Sequence, residues 1–90
     1  MTWYVYILEC ADGMLYTGTT LNLKRRIQEH NYDNKLGSRF VRVRRPVRLI
    51  YYEMQVTRSQ ALKRELEIKG WSRKKKLNLI SGADHLPLSE

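Results

Sequence analysis

Ninety residues carry 17 Lys and Arg against nine Asp and Glu, for a net charge of +8. That describes one small basic domain, and the excess of positive charge points to a polyanion as partner. A single cysteine excludes a disulfide framework. No Cys/His spacing of the zinc type occurs, and no apolar run approaches the roughly 18 residues of a membrane span. The start, Met1-Thr-Trp-Tyr-Val-Tyr6, lacks the basic region and cleavage site of a secretory signal, so a soluble cytoplasmic protein is expected.

The first predicted strand runs from Trp3 to Cys10. Trp3, Val5 and Ile7 alternate with Tyr4, Tyr6 and Leu8, so both faces are apolar. Such a strand belongs in the middle of a sheet covered on both sides. Cys10 reads as a small buried hydrophobe. Ala11-Asp12-Gly13 turns the chain into a second strand, Met14 to Thr19. A two-residue Asp-Gly loop would set Tyr16 opposite Glu9, with Tyr6 and Tyr16 on opposite faces. A three-residue loop with Gly13 left-handed pairs Leu8 with Tyr16 and Tyr6 with Gly18, so that both tyrosines share a face. The pattern alone leaves both registers open.

Gly18 permits close approach of a backbone or ligand. Thr20 or Asn22 can cap the helix that follows. In it Leu23 and Ile27 form the buried stripe with His30 beside them, and Arg26 and His30, four apart, are neighbours on one face. Asn31 to Pro46 reads as a loop, in which Arg39, Arg42, Arg44 and Arg45 interleave with Phe40, Val41 and Val43. It is the expected mobile, phosphate-facing segment. Pro46 opens a third strand, Val47 to Met54.

Thr57-Arg-Ser-Gln60 is a capping box and starts a second helix. Its apolar arc is Ala61, Leu62, Leu66 and Ile68, with Glu65 at the centre and Lys63, Arg64 and Glu67 on the outer side. Gly70 ends it. Ser72 caps a third helix, Arg73 to Ile80, whose Lys74, Lys75 and Lys76 extend the basic surface. The expected organisation is a single domain over residues 1–82 and a loose tail over 83–90.

Glu65 is the most diagnostic residue. An ionised carboxylate on a core-facing stripe is costly unless a cation or hydrogen bonds compensate it. A salt bridge to Arg26 or Lys69 would do so. So would a metal ion, since Mg²⁺ needs only one or two carboxylates and keeps several waters. Tyr6, Tyr16 and His30 taken singly are ordinary core residues.

Together these residues resemble the GIY-YIG nuclease superfamily, in particular its short, single-domain bacterial members. The first half of the signature stands as Tyr4-Val5-Tyr6 and the second as Tyr16-Thr17-Gly18. Arg26 follows ten residues after Tyr16, and His30 four later. The block from Ala61 to Lys76 is similar to the family's helix bearing the metal-binding glutamate, which falls on Glu65. Tyr4 replaces the first glycine and Thr17 the isoleucine, and Thr19 stands where the excision-repair branch has a lysine. A family asparagine has no register-true match, Asn78 lying near it.

The resemblance implies an α+β fold: a three-stranded antiparallel sheet flanked by helices on both sides. It also implies phosphodiester hydrolysis in DNA with one metal ion, Mg²⁺ or Mn²⁺, in DNA repair, recombination or maintenance. Tyr16 would then be the base, Tyr6 its neighbour, Arg26 the neutraliser of phosphoryl charge and His30 a proton acceptor or relay. That site requires both tyrosines on one face, and so selects the three-residue turn. Arg39, Arg42, Arg44, Arg45, Arg73, Lys74 and Lys75 are the expected nucleic-acid contacts. Target choice would come from a protein partner or from DNA shape. The alternative is a binding module of the same fold that grips nucleic acid and cleaves weakly or not at all. A basic face meeting a protein partner is a third.

Overall fold

A strand apolar on both faces sets the architecture. β1 (Trp3–Glu9) is the central strand of an antiparallel sheet, between β2 (Leu15–Thr20) and β3 (Arg48–Gln55). The computed structural model describes residues 1–82, and the tail expected at 83–90 lies outside the described residues. On one face Tyr6, Leu8 and Cys10 pack with Leu23 of α1 (Leu23–Tyr32) and Val41 of α2 (Arg39–Arg42). On the other, Val5, Ile7 and Tyr51 pack with Ala61 and Ile68 of α3 (Arg58–Lys69), and Leu79 and Ile80 of α4 (Arg73–Gly82) close over them. The expected α+β architecture, with helices on both sides of a three-stranded sheet, is the one found.

The hairpin takes the three-residue loop. Leu8 pairs with Tyr16 and Tyr6 with Gly18, and Gly13 has φ +86° in the left-handed region. The loop is closed by hydrogen bonds from Cys10 N to Met14 O (2.8 Å) and Gly13 N to Cys10 O (2.9 Å). Because side chains alternate with a period of two, this register carries Tyr6 and Tyr16 to one face. On the other side of β1 the pairing with β3 shifts between Ile7 and Leu8. Ile50 is the extra residue, so Ile50 and Tyr51 both pack towards α3 while Leu49 packs towards α1.

Asn22, rather than Thr20, caps α1, its Oδ1 accepting from Arg25 N at 3.0 Å. Thr57 and Gln60 form the capping box of α3, Gln60 N donating to Thr57 Oγ1 at 3.1 Å and Thr57 N to Gln60 Oε1 at 3.3 Å. Two expectations are corrected. Residues 31–46 are not a plain loop: α1 continues to Tyr32, and α2 is a turn of helix pinned by the fully buried Val41. On α3 the packed face is Ala61, Arg64, Glu65 and Ile68, spaced i, i+3, i+4, i+7. Arg64 therefore faces the sheet and ion-pairs with Glu53 at 2.9 Å, while Leu66, 70% exposed, faces water. Among the described residues no helix is long and apolar enough to cross a membrane.

Gly18 is the tightest point of the hairpin. A Cβ there would lie 2.5 Å from Tyr6 Oη and 2.6 Å from its Cζ, and Tyr6 is fully buried with no room to retreat. Gly18→Ala should therefore lower stability by about 1–3 kcal/mol, read as a fall in the thermal midpoint. An unchanged midpoint would show that the ring moves freely, against the packing described.

Candidate active site

The site forms on the α1 face of the sheet and at its β2 edge. Tyr6 projects from the middle of β1, and Tyr16, half-buried, from the start of β2. His30 reaches both from the last turn of α1, fully buried like Tyr6. Its ring centroid lies 6.0 Å from that of Tyr6 and 5.2 Å from that of Tyr16, the latter edge-on. Tyr6 and Tyr16 are 6.4 Å apart by the same measure. Phe40 of α2 stacks on Tyr16 at 6.1 Å, and the Arg44 guanidinium sits 3.9 Å over Phe40.

The hydrogen bonds fix the protons. Tyr6 Oη and His30 Nε2 are 2.8 Å apart. His30 Nδ1 accepts from the backbone N–H of Ser38 at 3.2 Å, a group that can only donate. The proton of the neutral ring is therefore on Nε2, which donates to Tyr6 Oη. Burial, reinforced by the Arg26 charge, pulls the His30 pKa down to about 4, so the ring stays neutral at physiological pH. With Nδ1 occupied and Nε2 protonated, no lone pair is free to accept a proton. In this arrangement His30 holds the Tyr6 hydroxyl in place.

Burial and the neighbouring Tyr16 push the Tyr6 phenol well above its ordinary value, against a smaller lowering by Arg26. Tyr6 is thus held protonated. Since it accepts from His30, its own proton is free to be donated. Arg26, one turn before His30, has Nη1 bonded to Glu29 Oε1 (2.9 Å) and to Leu36 O (2.6 Å), while its charge acts on Tyr6. Glu65 comes from the opposite side of the sheet. α3 packs across all three strands, and the Glu65 charge is felt at Tyr6. Its side chain is only 14% exposed, and Lys69 Nζ lies 2.7 Å from Oε2. The same ammonium stands 5.9 Å above the Tyr16 ring.

Tyr6, Tyr16 and His30 are thus in mutual contact with the Arg26 charge acting on Tyr6, whereas Glu65 stands on the other side of the sheet and approaches Tyr16 through Lys69. Phe40 and Ser38 join them without an expectation from the sequence, and Lys69 joins them as one of the two salt-bridge partners expected for Glu65. Only the i, i+4 spacing of Glu65 and Lys69 signals one of these contacts. The expected nucleic-acid contacts divide. Arg45 is consumed internally, donating to His30 O (2.5 Å), Asn34 Oδ1 (2.9 Å) and Asp33 O (2.9 Å). Arg44 pairs with Asp12 at 3.1 Å. Arg42 bonds Asn34 O (2.7 Å) and Arg73 bonds Gly13 O (2.9 Å), both from exposed positions. Lys75 lies 4.4 Å over the Trp71 ring. Arg39, Lys74 and Lys75 are exposed.

Glu65 can be tested as a metal ligand on its chemistry. Among the described residues no group of three or more His, Cys, Asp or Glu side chains converges, so they form no closed all-protein site of that kind. One shielded carboxylate beside a surface open to phosphate does suit Mg²⁺ or Mn²⁺, which keep waters and take phosphate oxygens as ligands.

The fold is thus a three-stranded antiparallel sheet with helices on both faces and a tyrosine-lined site at its β2 edge. The family model that matches, over residues 2–78, is described as the GIY-YIG catalytic domain. The chain belongs to the GIY-YIG family, whose nucleases are generally metal-dependent and bind nucleic acid. Among its relatives, a UPF0213 protein of Staphylococcus saprophyticus is 54% identical over 78 residues, covering 87% of this chain and 93% of that protein. One of Staphylococcus aureus is 51% identical over 77 residues, covering 86% and 92%. The solution structure of UPF0213 protein BH0048 from Bacillus halodurans matches at 42% identity and TM-score 0.57, covering 90% of this chain and 84% of that one. That of EF2693 from E. faecalis matches at 37% and 0.62, covering 91% and 85%.

The His30 environment sets a pH dependence. Unfolded, its pKa is 6.5; folded, about 4. The unfolded state therefore takes up the proton first as pH falls. The stability is complete above about pH 6.5 and is lost progressively down to about pH 4, by up to about 3 kcal/mol. NMR titration of the imidazole should give a midpoint near 4, with the thermal midpoint of the protein falling across that window. An imidazole midpoint near 6.5 would contradict the buried, neutral ring.

Proposed function

We propose that this protein is a divalent-metal-dependent DNA endonuclease acting in DNA repair, recombination or maintenance. The observation that carries the reading is the convergence on Tyr16 of Tyr6, His30 and the Glu65–Lys69 pair, contributed by both layers of helices. In phosphodiester hydrolysis, water attacks phosphorus, negative charge grows on the phosphoryl oxygens, and the leaving oxygen must be stabilised. Tyr16 is the partly exposed tyrosine; after losing its proton to solvent it takes, as phenolate, the proton of the attacking water and so acts as general base. Tyr6 is buried, held protonated, and its lone pair is occupied by His30. Its hydroxyl is left to donate towards Tyr16 and so to stabilise a phenolate there. Arg26 neutralises the phosphoryl oxygens with donors not committed to Glu29 and Leu36. Glu65 would hold the Mg²⁺ or Mn²⁺, which when bound supplies Lewis-acid stabilisation of the leaving oxygen.

The second reading, a nucleic-acid-binding module without efficient cleavage, is favoured by one observation: Glu65 already has a cationic partner. The two separate in one assay. The protein is incubated with Mn²⁺ and fluorescent duplex, flapped, branched and single-stranded DNAs, and products are resolved on a sequencing gel. Cleavage should require metal, rise with pH above neutrality, and be lost in Tyr16→Phe and in Glu65→Gln, with DNA binding kept within a few-fold. Retention of DNA without any product identifies the binding module. Cleavage insensitive to EDTA and to both substitutions overturns the mechanism.

DNA affinity should be steeply salt-dependent. With Arg39, Arg42, Arg73, Lys74 and Lys75 contacting roughly five phosphates, the log–log slope is about −4 to −5. Arg39→Glu with Lys74→Glu should flatten that slope without lowering thermal stability. Arg45→Ala should lower stability and leave the slope nearly unchanged, because its guanidinium is bound to the backbone. Affinity indifferent to salt would remove the polyanion reading.

A further inference from the structure

Taking Glu65 as the metal ligand proposed above, we infer that Lys69 is its resting counter-ion. The ammonium competes with the divalent cation for the carboxylate, and metal binding releases it. Glu65 sits on the packed stripe of α3 between Ala61 and Ile68, both fully buried, and is itself 14% exposed. A carboxylate so withdrawn from water needs a cation whether or not metal is bound. Lys69 supplies it from one turn further on, with Nζ 2.7 Å from Oε2. Glu before Lys at i, i+4 is the favourable orientation for such a pair. Among the described residues Lys69 is the only cation within 4.0 Å of that carboxylate.

The two partners are unlike. The Glu65 carboxylate is held by its place on the stripe, whereas the Lys69 side chain is 45% exposed and its four-carbon stem can turn the ammonium into water. The other ion pair of the same helix shows what a permanent partnership looks like. Arg64 bonds both Glu53 and Glu67, and Glu53 also receives Tyr51 Oη (2.5 Å) and Gln55 Nε2 (2.9 Å). Nothing comparable secures Lys69. Its ammonium also faces the Tyr16 ring, 5.9 Å away, at the outer reach of a cation–π contact. A dication on either oxygen of Glu65 would share the carboxylate with a like charge, so metal is bound more weakly while Lys69 stays.

The test is Mn²⁺ binding to the DNA-free protein, by calorimetry or by the paramagnetic resonance of free Mn²⁺, in wild type, Lys69→Met, Lys69→Gln, Lys69→Arg and Glu65→Gln. Both neutral variants should bind Mn²⁺ about three- to tenfold more tightly than wild type. They should also show a larger rise in thermal midpoint on saturation. Lys69→Arg should stay close to wild type, and Glu65→Gln should lose the site. Equal or weaker binding in both neutral variants, with binding still lost in Glu65→Gln, overturns the counter-ion inference and leaves the metal ligand standing. Binding unaffected by Glu65→Gln, or absent throughout, overturns the metal reading of Glu65 and the inference with it.

Discussion

The hydrogen bond between His30 Nε2 and Tyr6 Oη, 2.8 Å long and wholly out of water, is the constraint on which the site depends. A buried hydroxyl and a buried imidazole each cost roughly 1–3 kcal/mol if left unpaired. Here each answers the other across the gap between β1 and α1. The bond therefore fixes the rotation of α1 about its axis, and with it the direction of Arg26 one turn earlier. The second ring nitrogen extends the constraint by receiving Ser38 N–H, and Ser38 is the residue from which α2 begins. Phe40 is thereby delivered onto Tyr16. One imidazole thus ties together β1, α1 and the entry to α2, and keeps Tyr6 protonated while Tyr16 stays reachable.

The opposite layer is fixed by charge. Arg64 on α3 reaches Glu53 on β3, a pair shielded enough that losing either partner would strand the other. Its geometry sets the rotation of α3 and so turns Glu65 inward, towards the hairpin. The two layers meet at β2, the edge strand, because a central strand would wall them apart. Gly18 keeps that meeting place open for the Tyr6 ring, since any side chain there would collide with it.

Which parts could be read from the sequence follows from the range of the forces involved. The hairpin turn, the capping box and the two-sided β1 are local, written in residues adjacent or three apart, and they appear as expected. Glu65 was legible because its helical position contradicts its charge. Arg64 carries the same contradiction, but a wheel weighted by hydrophobicity assigned it to water and Leu66 to the core. The deciding partner, Glu53, lies across the fold and leaves no periodic trace. α2 is one turn long, too short for a repeat to emerge, and Val41 is its one buried residue. Arg45 looked like its neighbours in an arginine-rich run. Only the folded chain places the carbonyls of His30 and Asp33 within its reach.

That last case bears on how the net charge of +8 is to be understood. A guanidinium with all its nitrogens engaged inside the fold, as in Arg45, adds to the total without offering a phosphate-binding donor, whereas Arg42 and Arg73 each commit one nitrogen to a carbonyl and keep the others. Among the exposed cations, Arg39 and Arg42 lie on α2 and Arg73, Lys74 and Lys75 on α4, and both elements are moored to the same hairpin turn. Arg44, just after α2, pairs with Asp12, and its carbonyl accepts from Ala11 N. Arg73, opening α4, donates to Gly13 O. The β1–β2 turn is therefore clasped between two basic elements, with Tyr16 on the strand leading away from it. The mooring that stabilises the turn thus also holds these basic elements beside the strand that carries Tyr16, the arrangement on which the proposed function relies.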